Sequence, residues 1–274
     1  MRMWRVVVGL STAAVLLGMI VVRLSVNSSF GQDKEADAAK GGDDAGPGFA
    51  VVELFTSEGC SSCPPADALL AEQVRDAREH GRPVYCLAFQ VDYWNRLGWA
   101  DPYSDAAFSR RQNDYAQAFR SDQVYTPQMV VNGTDEFVGS DHARSRKSID
   151  AALKQPAKAR VKLSEGKADA GPFVLTYEAS SAPKGAVMNI AVVERGLVSK
   201  VPRGENGGRT LRHENVVRVF QTVHLNESGK GSVELKLPAD LVRKNSSAIA
   251  YVQEAAAGAV LGASAVDLAP AESD

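Results

Sequence analysis

From Phe49 to Thr56 the chain is apolar at almost every position, with Glu53 as the interruption, and is rich in β-branched and aromatic residues. A run this short and this continuous predicts a strand buried on both faces, as in a parallel sheet. Ala66, Leu69, Leu70 and Val74 then recur at helical spacing and predict a helix over 66–80, stopped at Gly81. Pro83 to Val91 repeats the buried-strand pattern, so strand, helix and strand form a βαβ unit with a parallel pair. The stretch 92–103 is aromatic, polar and broken by Gly and Pro, which predicts a loop, and 106–119 predicts a helix. Val124 to Gly133 reads as a loop entering a strand that turns at Asn132-Gly133, a dipeptide suited to tight hairpins, with Phe137 and Val138 pairing back. His142 to Lys154 predicts a closing helix before Pro156.

Beyond Ala159 the pattern changes to period two. Val161–Leu163, Phe173–Glu178, Met188–Val193, Val216–Leu225, Val233–Leu237 and Ala248–Gln253 all alternate like strands. This predicts an antiparallel, β-rich, sandwich-like C-terminal domain over 157–274, after an α/β N-terminal domain over 49–156. Ahead of both, Arg2 and Arg5 precede an apolar run from Val6 to Val22, followed by Arg23. That is an export signal over 1–31, read either as a cleaved signal peptide or as a retained membrane anchor. It places the protein outside the cytoplasm, periplasmic or secreted, either free or tethered to the inner membrane through this segment alone. Residues 32–48, rich in Asp, Ala, Gly and Lys without apolar period, are expected to be a flexible linker.

A composition of 45% hydrophobic and 23% charged residues suits a globular protein with a buried core. The net charge of -2 offers no basic surface, so nucleic acid is not an expected partner. The three cysteines are too few to staple a small scaffold, and two of them form Cys60-Ser61-Ser62-Cys63. So short a loop removes little unfolded-chain entropy, which points to redox chemistry, or to soft-metal chemistry as in a copper chaperone. Cys86, inside an apolar strand, reads as a small buried hydrophobe.

Placing C-x-x-C between a strand and a helix has a chemical purpose. The helix start presents unpaired N–H groups that stabilise a thiolate. Cys60, expected to be the more exposed, would attack a substrate disulfide, and Cys63 would resolve the mixed disulfide. Pro64 and Pro65 start the regular helix at Cys63 or Pro64, which leaves Cys60 ahead of it, and Glu58 opposes thiolate formation. Glu53 reads either as a strand-edge carboxylate facing water or as a buried acceptor of the resolving thiol's proton. Pro127, after Thr126 and before an apolar strand, is a candidate cis-proline beside the dithiol. Tyr93, Trp94 and Thr126 are candidate groove residues. The basic, Gly-rich stretch 203–213 is either a solvated loop or a flap that brings Arg209, Arg212 and His213 to an anionic or peptide partner. No cofactor and no resident metal are called for. The expected partners are a protein or small thiol/disulfide substrate and an electron-transfer partner. The different-class alternative is a binding or scaffold protein with a static Cys60–Cys63 disulfide.

The blocks 51–67, 91–99, 125–133 and 203–213 together resemble a thioredoxin-like secreted bacterial family catalogued as domain of unknown function 1223, over roughly 49–268. The resemblance implies a thioredoxin-like N-terminal part and a β-rich C-terminal part. Gly59 stands where broader thioredoxins carry an aromatic residue, and no proline lies between the cysteines, a departure from general reductases. Gln90 stands where many members are expected to carry His, which argues against a metal role there.

Overall fold

The expected buried strand is β1 (Ala50–Thr56), all seven residues of which are buried. In the computed structural model, which describes residues 46–166, 172–255 and 257–268, it pairs in parallel with β2 (Val84–Gln90). The apolar run near the N-terminus and all but the end of the expected linker lie outside these residues. Among the described residues no helix is long and apolar enough to cross a membrane. Helix α1 (Pro64–His80) connects the two strands and stops at Gly81, whose φ of 62° is a left-handed cap. After α2 (Ala106–Ala118), β3 (Gln128–Val131) runs antiparallel to β1, β4 (Asp135–Val138) turns back on β3, and α3 (His142–Leu153) follows. The turn at Asn132-Gly133 places both residues at positive φ, as the sequence predicts.

The C-terminal half supplies β5 (Arg160–Glu165), β6 (Phe173–Ser180), β7 (Val187–Glu194), β8 (Leu197–Lys200), β9 (Thr210–His213), β10 (Val216–His224), β11 (Lys230–Leu235), β12 (Ser246–Gln253) and β13 (Val260–Asp267). The molecule is thus mixed α/β, built on one large sheet with few helices. That sheet runs β13-β12-β7-β10-β2-β1-β3-β4, and a three-stranded sheet runs β11-β6-β5. The sandwich-like packing exists, with Leu175, Leu235 and Tyr177 of the small sheet against Met188, Ile190, Ala248 and Ala250 of the large one. The separate C-terminal domain expected beyond residue 156 does not stand alone. β10 pairs in parallel with β2 at Val216–Ala88, so strands from both sides of Pro156 share one sheet.

The alternation of β1 divides the core. Val52 and Leu54 face α1 and α3, whereas Val51, Glu53 and Phe55 point to the opposite face, toward α2. On that second face Phe55, Phe89 and Phe108 pack with Ala191, Val193, Ile249 and Tyr251, so a single core spans both halves. The large sheet curls around it: the Val260 N–H donates to the Asn132 carbonyl at 2.9 Å, joining the β12–β13 end to the β3–β4 turn.

Candidate active site around the Cys60–Cys63 disulfide

Cys60 and Cys63 form a disulfide at the start of α1. Cys63 caps the helix, its carbonyl accepting from the N–H groups of Ala66 and Asp67 at 2.8 and 3.1 Å, and Pro64 takes the first helical position. Both cysteines are 0% exposed, so Cys60 is not the more exposed of the two. Ser61 and Ser62 carry the surface of the motif. The Ser62 hydroxyl lies 3.4 Å from the Cys60 sulfur and donates to the Thr126 carbonyl at 3.5 Å. Thr126–Pro127 is a cis peptide, so the candidate cis-proline loop does border the motif. Trp94 closes this side: its indole N–H donates to Thr126 Oγ1 at 2.8 Å. A Cβ at Gly59 would lie 2.9 Å from the Trp94 Cβ, which explains the glycine before Cys60. The half-buried Tyr93 donates to Gln112 Oε1 at 3.2 Å.

The opposite side is closed by the turn between β8 and β9. Asn206, fully buried, donates to the carbonyls of Glu58 and Cys60, each at 2.9 Å, and Arg209 holds its side-chain oxygen at 2.7 Å. Glu205 accepts from the Ser61 N–H at 3.0 Å. The stretch 203–213 is therefore a flap pinned to the cysteine motif through Asn206 and Glu205, with its outer side chains exposed. Arg209 and Arg212 are exposed, and with Arg75 they line a groove of about 380 Å³ beside Pro64.

Two corrections concern charged groups. Glu53 is neither at a wet edge nor at the thiols. Arg111 grips both its oxygens, at 2.6 and 2.8 Å, and Tyr115 and Tyr251 donate to it at 2.8 and 3.2 Å. It belongs to the α2 face, whereas α1 and its cysteines lie on the other. His213, expected to meet a partner, is 2% exposed. It joins Glu58, Asp67 and Asp101 in a buried cluster under the flap. Its Nε2 is 3.2 Å from Glu58 Oε1, and its Nδ1 is 4.0 Å from Asp67 Oδ2. Trp99 donates to Glu58 Oε2 at 2.7 Å, Thr56 donates to Asp67 Oδ1 at 2.9 Å, and Asp101 accepts from the Glu58 N–H at 2.9 Å.

These contacts set the charges. Burial pushes Asp67 up to about 6, against the pull of His213 and Thr56. Burial and the neighbouring Glu58 charge push Asp101 up to about 6. Burial also opposes the charge on Glu58, but hydrogen bonds from His213, Ser199 and Trp99 hold it below the ordinary value. His213 is raised: burial lowers it, and Glu58 and Asp67 outweigh that. Burial takes the Cys86 thiol up to about 12, in keeping with an inert core residue. Sequence reasoning missed Asp67 and Asp101 as members of the site. An acid in the first turn of a helix reads as dipole complementation, and an acid in a broken loop as surface. Among the described residues no cluster of three or more His, Cys, Asp or Glu is arranged to hold a metal ion.

No curated protein matches this sequence. The crystal structure of a protein from Agrobacterium tumefaciens aligns over 82% of this chain and 96% of its own, at 30% identity and a TM-score of 0.60. A domain of the outer membrane lipoprotein Omp28 from Porphyromonas gingivalis aligns over 42% of this chain and 98% of its own, at 12% identity and a TM-score of 0.24. A likeness that loose carries no argument. The family model described as "Protein of unknown function (DUF1223)" matches residues 51–253, and the chain belongs to that family.

Proposed function

We propose that the protein is an exported thiol–disulfide oxidoreductase in which Cys60 and Cys63 cycle between dithiol and disulfide. The observation that carries this reading is the contact of Ser62, between the two cysteines, with the Thr126 carbonyl, which sets the bend at residues 126–127 beside the pair. The order β2-β1-β3-β4, with α1 joining the parallel pair and α3 following β4, supports a thioredoxin-like unit inside the larger sheet. In the reducing direction the Cys60 thiolate attacks a substrate disulfide and expels one thiol. Cys63 then attacks the mixed disulfide and expels the second, so two electrons leave the dithiol. A thiol of low molecular weight or a partner dithiol resets the pair. Export rests on the arginine-flanked apolar run at residues 6–22.

The burial of both cysteines favours a second reading, a static bridge in a binding protein. Equilibration in glutathione buffers on a Cys86→Ala background separates the two. A reduction potential above about -270 mV is expected for an exchange enzyme, and a value below about -300 mV would establish the static bridge.

A further inference from the structure

Resting on the exchange reading, we infer that Asp67, backed by His213, is the acceptor of the Cys63 proton, the role that Glu53 is too distant in the fold to fill. Cys63 and Asp67 are four apart at the start of α1, and the Asp67 N–H bonds to the Cys63 carbonyl at 3.1 Å. Helical geometry then puts their side chains on one face, with Cβ atoms about 6 Å apart. Both are buried. Thr56 fixes one carboxyl oxygen, and the other faces His213 Nδ1 at 4.0 Å. That Nδ1 is buried and has no hydrogen-bond partner. Gln90, paired with Thr56 across β1 and β2, is also fully buried, and neither atom of its amide finds a partner. The unpartnered Nδ1 facing the carboxyl, with the Gln90 amide unpartnered beside Thr56 on the neighbouring strand, marks a place where hydrogen-bonding capacity is held in reserve.

The groups that bear on Asp67 come from every neighbouring element. Glu58 comes from the loop before α1 and His213 from β9, while Asp101, from the loop before α2, bears on His213. Glu72, Arg75, Arg209 and Arg212 stand around the groove outside. In the resolving step the Cys63 S–H bond breaks and its proton passes to Asp67. The Cys63–Cys60 bond forms, and the substrate sulfur leaves Cys60 as a thiolate that takes its proton from water. In the reverse step a substrate thiolate attacks Cys60, Cys63 leaves, and protonated Asp67 returns the proton to it. His213 is a positioning residue, since its charge stabilises the ionised carboxyl between turnovers.

The test uses the full chain with Cys60→Ser and Cys86→Ala, which leaves Cys63 as a lone thiol whose ionisation is followed by thiolate absorbance. Adding Asp67→Asn is expected to lower the Cys63 pKa by about 1 to 2 units, because a facing negative charge is gone. In the enzyme with both cysteines, Asp67→Asn is expected to slow the resolving step about 100-fold at pH 7 and to abolish its fall below about pH 6. An unchanged Cys63 titration overturns the assignment while leaving the exchange reading intact. Absence of exchange in the wild type sinks the exchange reading itself. Should Asp67→Asn fail to fold, the wild-type glutathione equilibrium is measured from pH 5 to 8. An inflection near pH 6 that persists in Asp101→Asn supports the assignment, and a profile without one, or one that Asp101→Asn removes, overturns it.

Discussion

Glu53 and Asp67 are two buried carboxylates with opposite consequences. Glu53 is matched by Arg111, two tyrosine hydroxyls and, through Arg111, the Gln253 amide. Four aromatic rings also surround the guanidinium. Glu53→Gln leaves Arg111 buried without its counter-charge, a change expected to lower unfolding free energy by about 3–5 kcal/mol in urea titrations. The exchange rate of the folded variant should stay at the wild-type value. A variant that keeps its stability but loses exchange would return Glu53 to the chemistry. The sequence shows Glu53 as an anomaly in an apolar run, which leaves a wet edge and a buried site equally open. Its partner was not legible, because Arg111 lies 58 residues on, within a helix whose polar positions look solvated. Asp67 carries no such anomaly, since the group that makes its burial significant, His213, is distant in sequence.

At the scale of elements, the first half is legible nearly to the residue: the bounds of β1, α1, β2, α2, the β3–β4 hairpin and α3 follow the apolar pattern and the Gly or Pro stops. β8 and β9 are not, since four-residue strands with an exposed alternate face lack a period long enough to detect. Their turn nevertheless decides access to the disulfide. Asn206 is the pin, because one side-chain nitrogen serves two carbonyls of the cysteine loop. Asn206→Ala removes both bonds and the anchor of Arg209. It is expected to speed reduction of Cys60–Cys63 by dithiothreitol about 10-fold, in line with the loss of one to two net hydrogen bonds. Wild-type kinetics in that variant would mean that the flap does not limit access.

At the scale of the molecule, the strands beyond residue 159 read correctly as antiparallel and alternating, but their destination did not. Period two states that one face is buried, and it does not name the neighbour. β10 carries that information in three dimensions only: Ala88 N–H donates to the Asn215 carbonyl, and Asn215 Nδ2 donates to the Cys86 carbonyl at 2.8 Å. A fragment of residues 46–156 would keep β1 to β4 and lose Val193, Val217, Ile249 and Tyr251 from its core. It is expected to lack cooperative thermal unfolding and near-ultraviolet dichroism. A sharp, two-state transition in that fragment would show the N-terminal half to be autonomous. The same junction bears on how the protein is made. A chain emerging from its N-terminus delivers β2 long before the strand that covers its outer edge, which starts at Val216. Until then a largely apolar strand stands with one row of N–H and C=O groups open, a template for pairing with a second nascent chain. The junction at Val216 and Ala88 therefore forms only after most of the chain has been made.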